Sequence, residues 1–144
     1  MKGIVARQSI VIHAPPERVW KALTDPDMIK EYLFGTQVSS DWKVGGPIRY
    51  RGVWEGRTYE DKGMVIRVVP GRLLETTFWS SLSGVADTPE NYKQVTYELT
   101  PEPGRTRLTV IQDNNASEEE RKHSEQNWKM VLGKLKDPLE KQVG

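Results

Sequence analysis

Residues 117–141 read SEEERKHSEQNWKMVLGKLKDPLEK, the one long helical pattern in a chain that otherwise reads as strands and turns. Trp128, Val131, Leu132, Leu135 and Leu139 recur at helical spacing and form one apolar stripe. Ser117 followed three residues later by Glu120 spells a capping box, in which each side chain satisfies a free backbone donor of the first turn. Glu118, Glu119 and Glu120 lie at the positive end of the helix dipole, and Lys134, Lys136 and Lys141 lie toward the negative end. Traced backward, the stripe runs into Arg121, Ser124 and Glu125, all polar. The second half of this helix is therefore expected to pack on a dry surface, while the first half faces either water or a polar cavity. Pro138 removes a backbone donor inside the stripe, which predicts a kink or a 3₁₀ step near residues 136–138.

A helix of this length spans about 30 Å, and the rest of the chain supplies what it could cover. Residues 4–13 alternate as a strand, with Ile10 and Ile12 on one face. Pro15-Pro16 ends it and opens a short helix with Val19, Trp20 and Leu23 inward. Asp25-Pro26 then caps a second short helix running through Met28 and Ile29 toward Leu33. Strand patterns follow at 36–41, 48–51, 58–69, 72–79, 92–100 and 106–112, separated by Gly45-Gly46-Pro47, Glu55-Gly56, Pro70-Gly71 and Pro101-Glu102-Pro103-Gly104. In 58–69 the inward face is read as Met64, Ile66 and Val68. Consecutive strands on tight turns make an antiparallel meander with one apolar face to cover. The expected fold is α+β: a curved antiparallel sheet wrapped around the long C-terminal helix, with two short helices after the first strand.

The 144 residues suit a single domain over 1–144, able to bury roughly 70% of its unfolded surface. No cysteine is present, which excludes disulfides and thiolate chemistry. A net charge of +1, from 21 basic and 20 acidic residues, offers no attraction for nucleic acid. No apolar run approaches the roughly 20 residues of a membrane span, so no membrane insertion is expected. A soluble cytoplasmic protein is the expectation.

The runs IVIHAPPERVWKALTDPDMIKEYL, SDWKVGGPIRYRG, GMVIRVVPGRLLETTFW, YELTPEPGRTRLTVIQD and NWKMVLGKLKDPLEK resemble the activator of heat-shock-protein-90 ATPase homologue family, over residues 4–141. That family is part of the START-like (SRPBCC) superfamily with the helix-grip fold. The resemblance implies a seven-stranded sheet gripping the helix, with a cavity between them that often holds hydrophobic or amphipathic molecules. Superfamily members also include cyclases, dehydratases and lipid carriers, so the fold alone does not settle activity. The co-chaperone that names the family carries an additional N-terminal domain, which this sequence does not contain. A chaperone-binding adaptor is accordingly the second expectation, and a cyclase- or dehydratase-like enzyme the third.

On this fold the inward residues facing the helix are Ile48, Tyr50, Met64, Ile66, Thr76, Phe78, Val95 and Tyr97, with Trp128 and Leu132 opposite. Tyr50, Ile66, Thr76, Phe78, Tyr97, Ser124, Trp128 and Leu132 are the candidate ligand-binding residues, for a small apolar or amphipathic molecule. Inward aromatic residues are more often plain core than ligand contacts, and that reading stands beside this one. Trp54 and the loop at 80–91 are candidates to flank a cavity mouth. His13 and His123 have no carboxylate at metal-ligand spacing, so no metal, cofactor or catalytic residue is expected. Glu60-Asp61 reads as a solvated acidic pair, leaving the inward faces free of carboxylates.

Overall fold

The alternating segments assemble into one seven-stranded sheet in the computed structural model, which describes residues 2–141 apart from the side chain of Trp54. The suggestion that Trp54 flanks a pocket mouth therefore lies outside the described residues. In chain order the elements are β1 (Ile4–Ile12), α1 (Pro16–Thr24), α2 (Pro26–Tyr32), β2 (Gln37–Ser39), β3 (Pro47–Trp54), β4 (Arg57–Val69) and β5 (Leu73–Phe78). A 3₁₀ turn (Pro89–Asn91), β6 (Lys93–Glu102), β7 (Arg105–Asn115) and α3 (Glu118–Lys141) complete the chain. The strand order is β1-β7-β6-β5-β4-β3-β2, every neighbouring pair antiparallel. Strands β2 to β7 thus form the expected meander, and β1 docks beside the last strand.

Local chemistry accounts for the joints. Pro16 occupies the first turn of α1, and the Asp25 carboxylate accepts the Asp27 N–H at 2.9 Å to cap α2. Glu55 and Gly56 both take positive φ, 51° and 77°, giving the two-residue turn whose twist matches the flanking strands. At the start of α3 the Glu120 N–H donates to Ser117 Oγ at 3.1 Å. The Glu120 carboxylate reaches back to the Ala116 N–H, one residue before the expected Ser117 N–H, and pairs with Lys93 at 3.0 Å. Val131, Leu132, Leu135 and Leu139 are buried as the stripe requires. Of the expected kink or 3₁₀ step at Pro138, the 3₁₀ step does not occur: α3 continues through it to Lys141, and the missing Pro138 N–H removes one bond of the ladder.

Strand β4 corrects the sequence reading. Its register against β5 shifts between Val65 and Arg67, the mark of a β-bulge. One extra residue there moves the inward set from odd to even positions. Asp61 and Val65 are buried before it and Val68 packs on the core after it, whereas Met64 and Ile66 are 49% and 37% exposed.

The polar half of α3 also finds its place. β1 is an edge strand, and its outward N–H groups need partners. Glu125 Oε2 accepts from the Arg7 N–H at 3.1 Å, and Glu140 Oε2 from the His13 N–H at 2.8 Å. Arg121 holds Glu125 at 2.7 Å. α3 is thus bonded to the sheet edge in its first half, at Glu125, and again in its last turn, at Glu140.

Candidate functional site

Inward alternation on β3, β5 and β6 places Tyr50, Thr76, Phe78, Val95 and Tyr97 on the face that α3 covers, and β7 adds Gln112. These side chains do not close completely against the helix. A pocket of about 520 Å³ remains between them and Asn127, Trp128, Met130 and Val131 of α3. That volume lies within the roughly 300–1,000 Å³ usual for small-molecule sites. A second void of about 20 Å³ continues inward, sharing Tyr50, Thr76, Tyr97 and Trp128 with the first. Phe34, Val53 and Leu82 also line the pocket and are exposed, forming an apolar mouth, with Leu82 supplied by the loop at 80–91.

Two edge-on aromatic pairs build the walls. The rings of Tyr50 and Phe78 stand 5.4 Å apart at 80°, and those of Tyr97 and Trp128 stand 5.9 Å apart at 84°. Trp128 is oriented by its indole N–H, which donates to Gln112 Oε1 at 2.9 Å. Burial raises the phenols of Tyr50 and Tyr97 well above the ordinary tyrosine value, with the Tyr97 and Asp61 neighbours adding to the effect at Tyr50. Both remain neutral hydroxyls. Near the mouth Thr36 and Tyr59 share a 2.6 Å hydrogen bond.

The pocket also holds a carboxylate that sequence reasoning placed in solvent. Asp61 is 8% exposed, sits directly across from Tyr50 in the β3–β4 pair, and lines the pocket. Its Oδ1 accepts from the Ser81 N–H at 2.8 Å and from Ser81 Oγ at 3.1 Å, tying the loop at 80–91 to the pocket wall. A usable signal was present. A two-residue turn at Glu55-Gly56 pairs Trp54 with Arg57 and so Tyr50 with Asp61, and an inward Tyr50 makes Asp61 inward too.

Of the eight candidate residues, Tyr50, Thr76, Phe78, Tyr97 and Trp128 come together around the pocket. The other three do not. Ile66 lies at the bulge and is 37% exposed; Leu132 is 1% exposed within the packed core. Ser124 Oγ donates to Asn115 Oδ1 at 3.0 Å and accepts from Gln112 Nε2 at 3.4 Å, which leaves it outside the pocket lining. His13 pairs with Glu140 at 2.9 Å, and no metal-holding cluster occurs among the described residues.

The family described as "Activator of Hsp90 ATPase homolog 1-like protein" matches residues 13–140, nearly the whole chain. The chain belongs to that family. No match was found among curated proteins. Among solved structures, ChR145 from Cytophaga hutchinsonii is 45% identical, with 99% of each chain covered and a TM-score of 0.86. MLL2253 from Mesorhizobium loti is 24% identical, covering 98% of this chain and 100% of that one, with a TM-score of 0.78. The Aha1 dimer from Colwellia psychrerythraea is 21% identical, covering 98% of this chain and 99% of that one, with a TM-score of 0.73. The last two likenesses concern the fold alone. Membership in the activator-homologue family accords with the helix-grip architecture, and among the described residues no helix is long and apolar enough to cross a membrane.

Proposed function

We propose that this family member binds one small apolar or amphipathic molecule in the pocket beneath α3, with Tyr50, Phe78, Tyr97 and Trp128 as its walls. The observation that carries this reading is the 520 Å³ of space held open by two aromatic pairs. Interiors normally pack to near crystal density, and an unfilled apolar space forfeits dispersion contacts on every wall. A ligand restores them.

N-phenyl-1-naphthylamine, a neutral lipophilic dye, tests the reading. Its fluorescence is expected to rise on addition of the protein, and the double variant Trp128→Ala with Phe78→Ala to abolish the rise while circular dichroism stays native. A folded wild-type protein that leaves the dye unchanged overturns the proposal.

The family's name supports a second reading, a chaperone-interacting adaptor. Stimulation of the host chaperone's ATPase by the purified protein is its measure, and neither stimulation nor a complex counts against it. A cyclase- or dehydratase-like activity, the third reading, needs an acid or base in the pocket, and Asp61 is the one carboxylate among the described lining residues.

A further inference from the structure

We propose that the pocket selects a molecule carrying a protonated amine, and that Asp61 receives it. This rests on the pocket being a binding site, and it adds which head group the site accepts.

Among the described residues lining the pocket, Asp61 is the one charged side chain. Basic residues close to it in the sheet are engaged elsewhere. Arg49 and Arg51 pair with Glu60 at 2.9 and 3.5 Å, and Lys62 pairs with Asp87 at 2.6 Å. No counter-charge therefore comes from the described lining residues, and the Lys134 ammonium at the mouth stands over the Phe34 ring at 4.8 Å. A carboxylate so placed is costly unless something cationic meets it.

Its geometry leaves room for that partner. Both bonds from Ser81 fall on Oδ1, and Oδ2 takes neither. Tyr50 stands directly across the strand pair from Asp61, with Phe78 against it, so aromatic rings lie beside the carboxylate. Ring faces attract a cation and an apolar tail alike. An anionic head group would instead meet like charge in a medium of low dielectric. A neutral alcohol can donate a hydrogen bond to the carboxylate but brings no positive charge, so it lacks the Coulomb attraction of an ion pair.

The competing role for Asp61 is purely structural: holding the loop at 80–91 through Ser81. Asp61→Asn separates the two, because the amide keeps a carbonyl oxygen for both Ser81 donors and loses only the charge. Octylammonium, 1-octanol and octanoate share one tail and differ in head group, so calorimetric titration of each near neutral pH reads the selectivity. The wild-type protein is expected to bind octylammonium at least about tenfold more tightly than 1-octanol, with octanoate weakest. In Asp61→Asn the advantage of the amine over the alcohol is expected to vanish. Equal or tighter binding of 1-octanol or octanoate by the wild type overturns the inference, and this ranking needs no variant to fold. An amine preference that survives in Asp61→Asn overturns it as well. If N-phenyl-1-naphthylamine binds but the amine has no advantage, the pocket reading stands and this inference fails. If neither the dye nor any octyl compound binds, both fail.

Discussion

A Cβ added at Gly63 would stand 2.0 Å from the carbonyl oxygen of Thr77, where β4 passes β5 at backbone distance. The obstacle is main chain, which cannot step aside without breaking the strand pair. Gly63→Ala is expected to cost about 2–4 kcal/mol, read as a lower urea midpoint at unchanged slope. Gly52 differs. Its added Cβ would meet Tyr59 Oη at 2.4 Å, and a side chain can swing away at the expense of the Thr36–Tyr59 bond. Gly52→Ala should therefore fall well short of Gly63→Ala in the same assay; equal losses would contradict the account. Neither glycine has a positive φ, so nothing in a turn pattern singles them out. Their need for a bare Cα arises from what lies opposite.

At the level of elements, β4 is where one-dimensional reasoning fails and α3 is where it succeeds. The α3 stripe is legible because a helix repeats its face without interruption from Trp128 to Leu139. Strand alternation is equally regular until a bulge inserts a residue, and Met64, Ile66 and Val68 read as one face only if none is inserted. The correction is measurable. Val65, 0% exposed, should lose about 2 kcal/mol or more on replacement by alanine, whereas Ile66→Ala should stay within about 1 kcal/mol of wild type. The reverse order in thermal or urea unfolding would restore the uninterrupted strand. Whether Ser124 and Glu125 face a cavity or not stayed open in the sequence for a related reason. The periodicity places them on the inward face, but it does not say that Ser124 meets β7 and Glu125 the β1 edge.

For the molecule as a whole, the buried phenols make a statement about alkaline pH. Burial raises Tyr32, Tyr50 and Tyr97 well above the ordinary value near 10, and burial with the Asp87 hydrogen bond pushes Tyr92 up to about 12. In the unfolded chain these groups release protons near pH 10 while the folded chain retains them. Above about 10 the unfolded state binds fewer protons, so stability should fall as pH rises, having been insensitive to these groups below. Phenolate absorbance is expected to grow cooperatively, together with loss of the circular dichroism signal. Smooth ionisation of all five tyrosines near pH 10 with the fold intact would refute the enclosure of the pocket walls.

Element order, the antiparallel meander, the capped C-terminal helix and five of the pocket residues follow from the amino-acid sequence, because capping, turn chemistry and side-chain period are properties of neighbours along the chain. The inward turn of Asp61, the outward turn of Ile66, the burial of Leu132 in the core and the seating of Ser124 on β7 follow from tertiary structure alone. Each depends on the phase of one element relative to another, set by a bulge, a hairpin register and the line along which α3 crosses the sheet. Those relations decide which side chains surround empty space and which surround each other. Here they place one carboxylate among the aromatic walls.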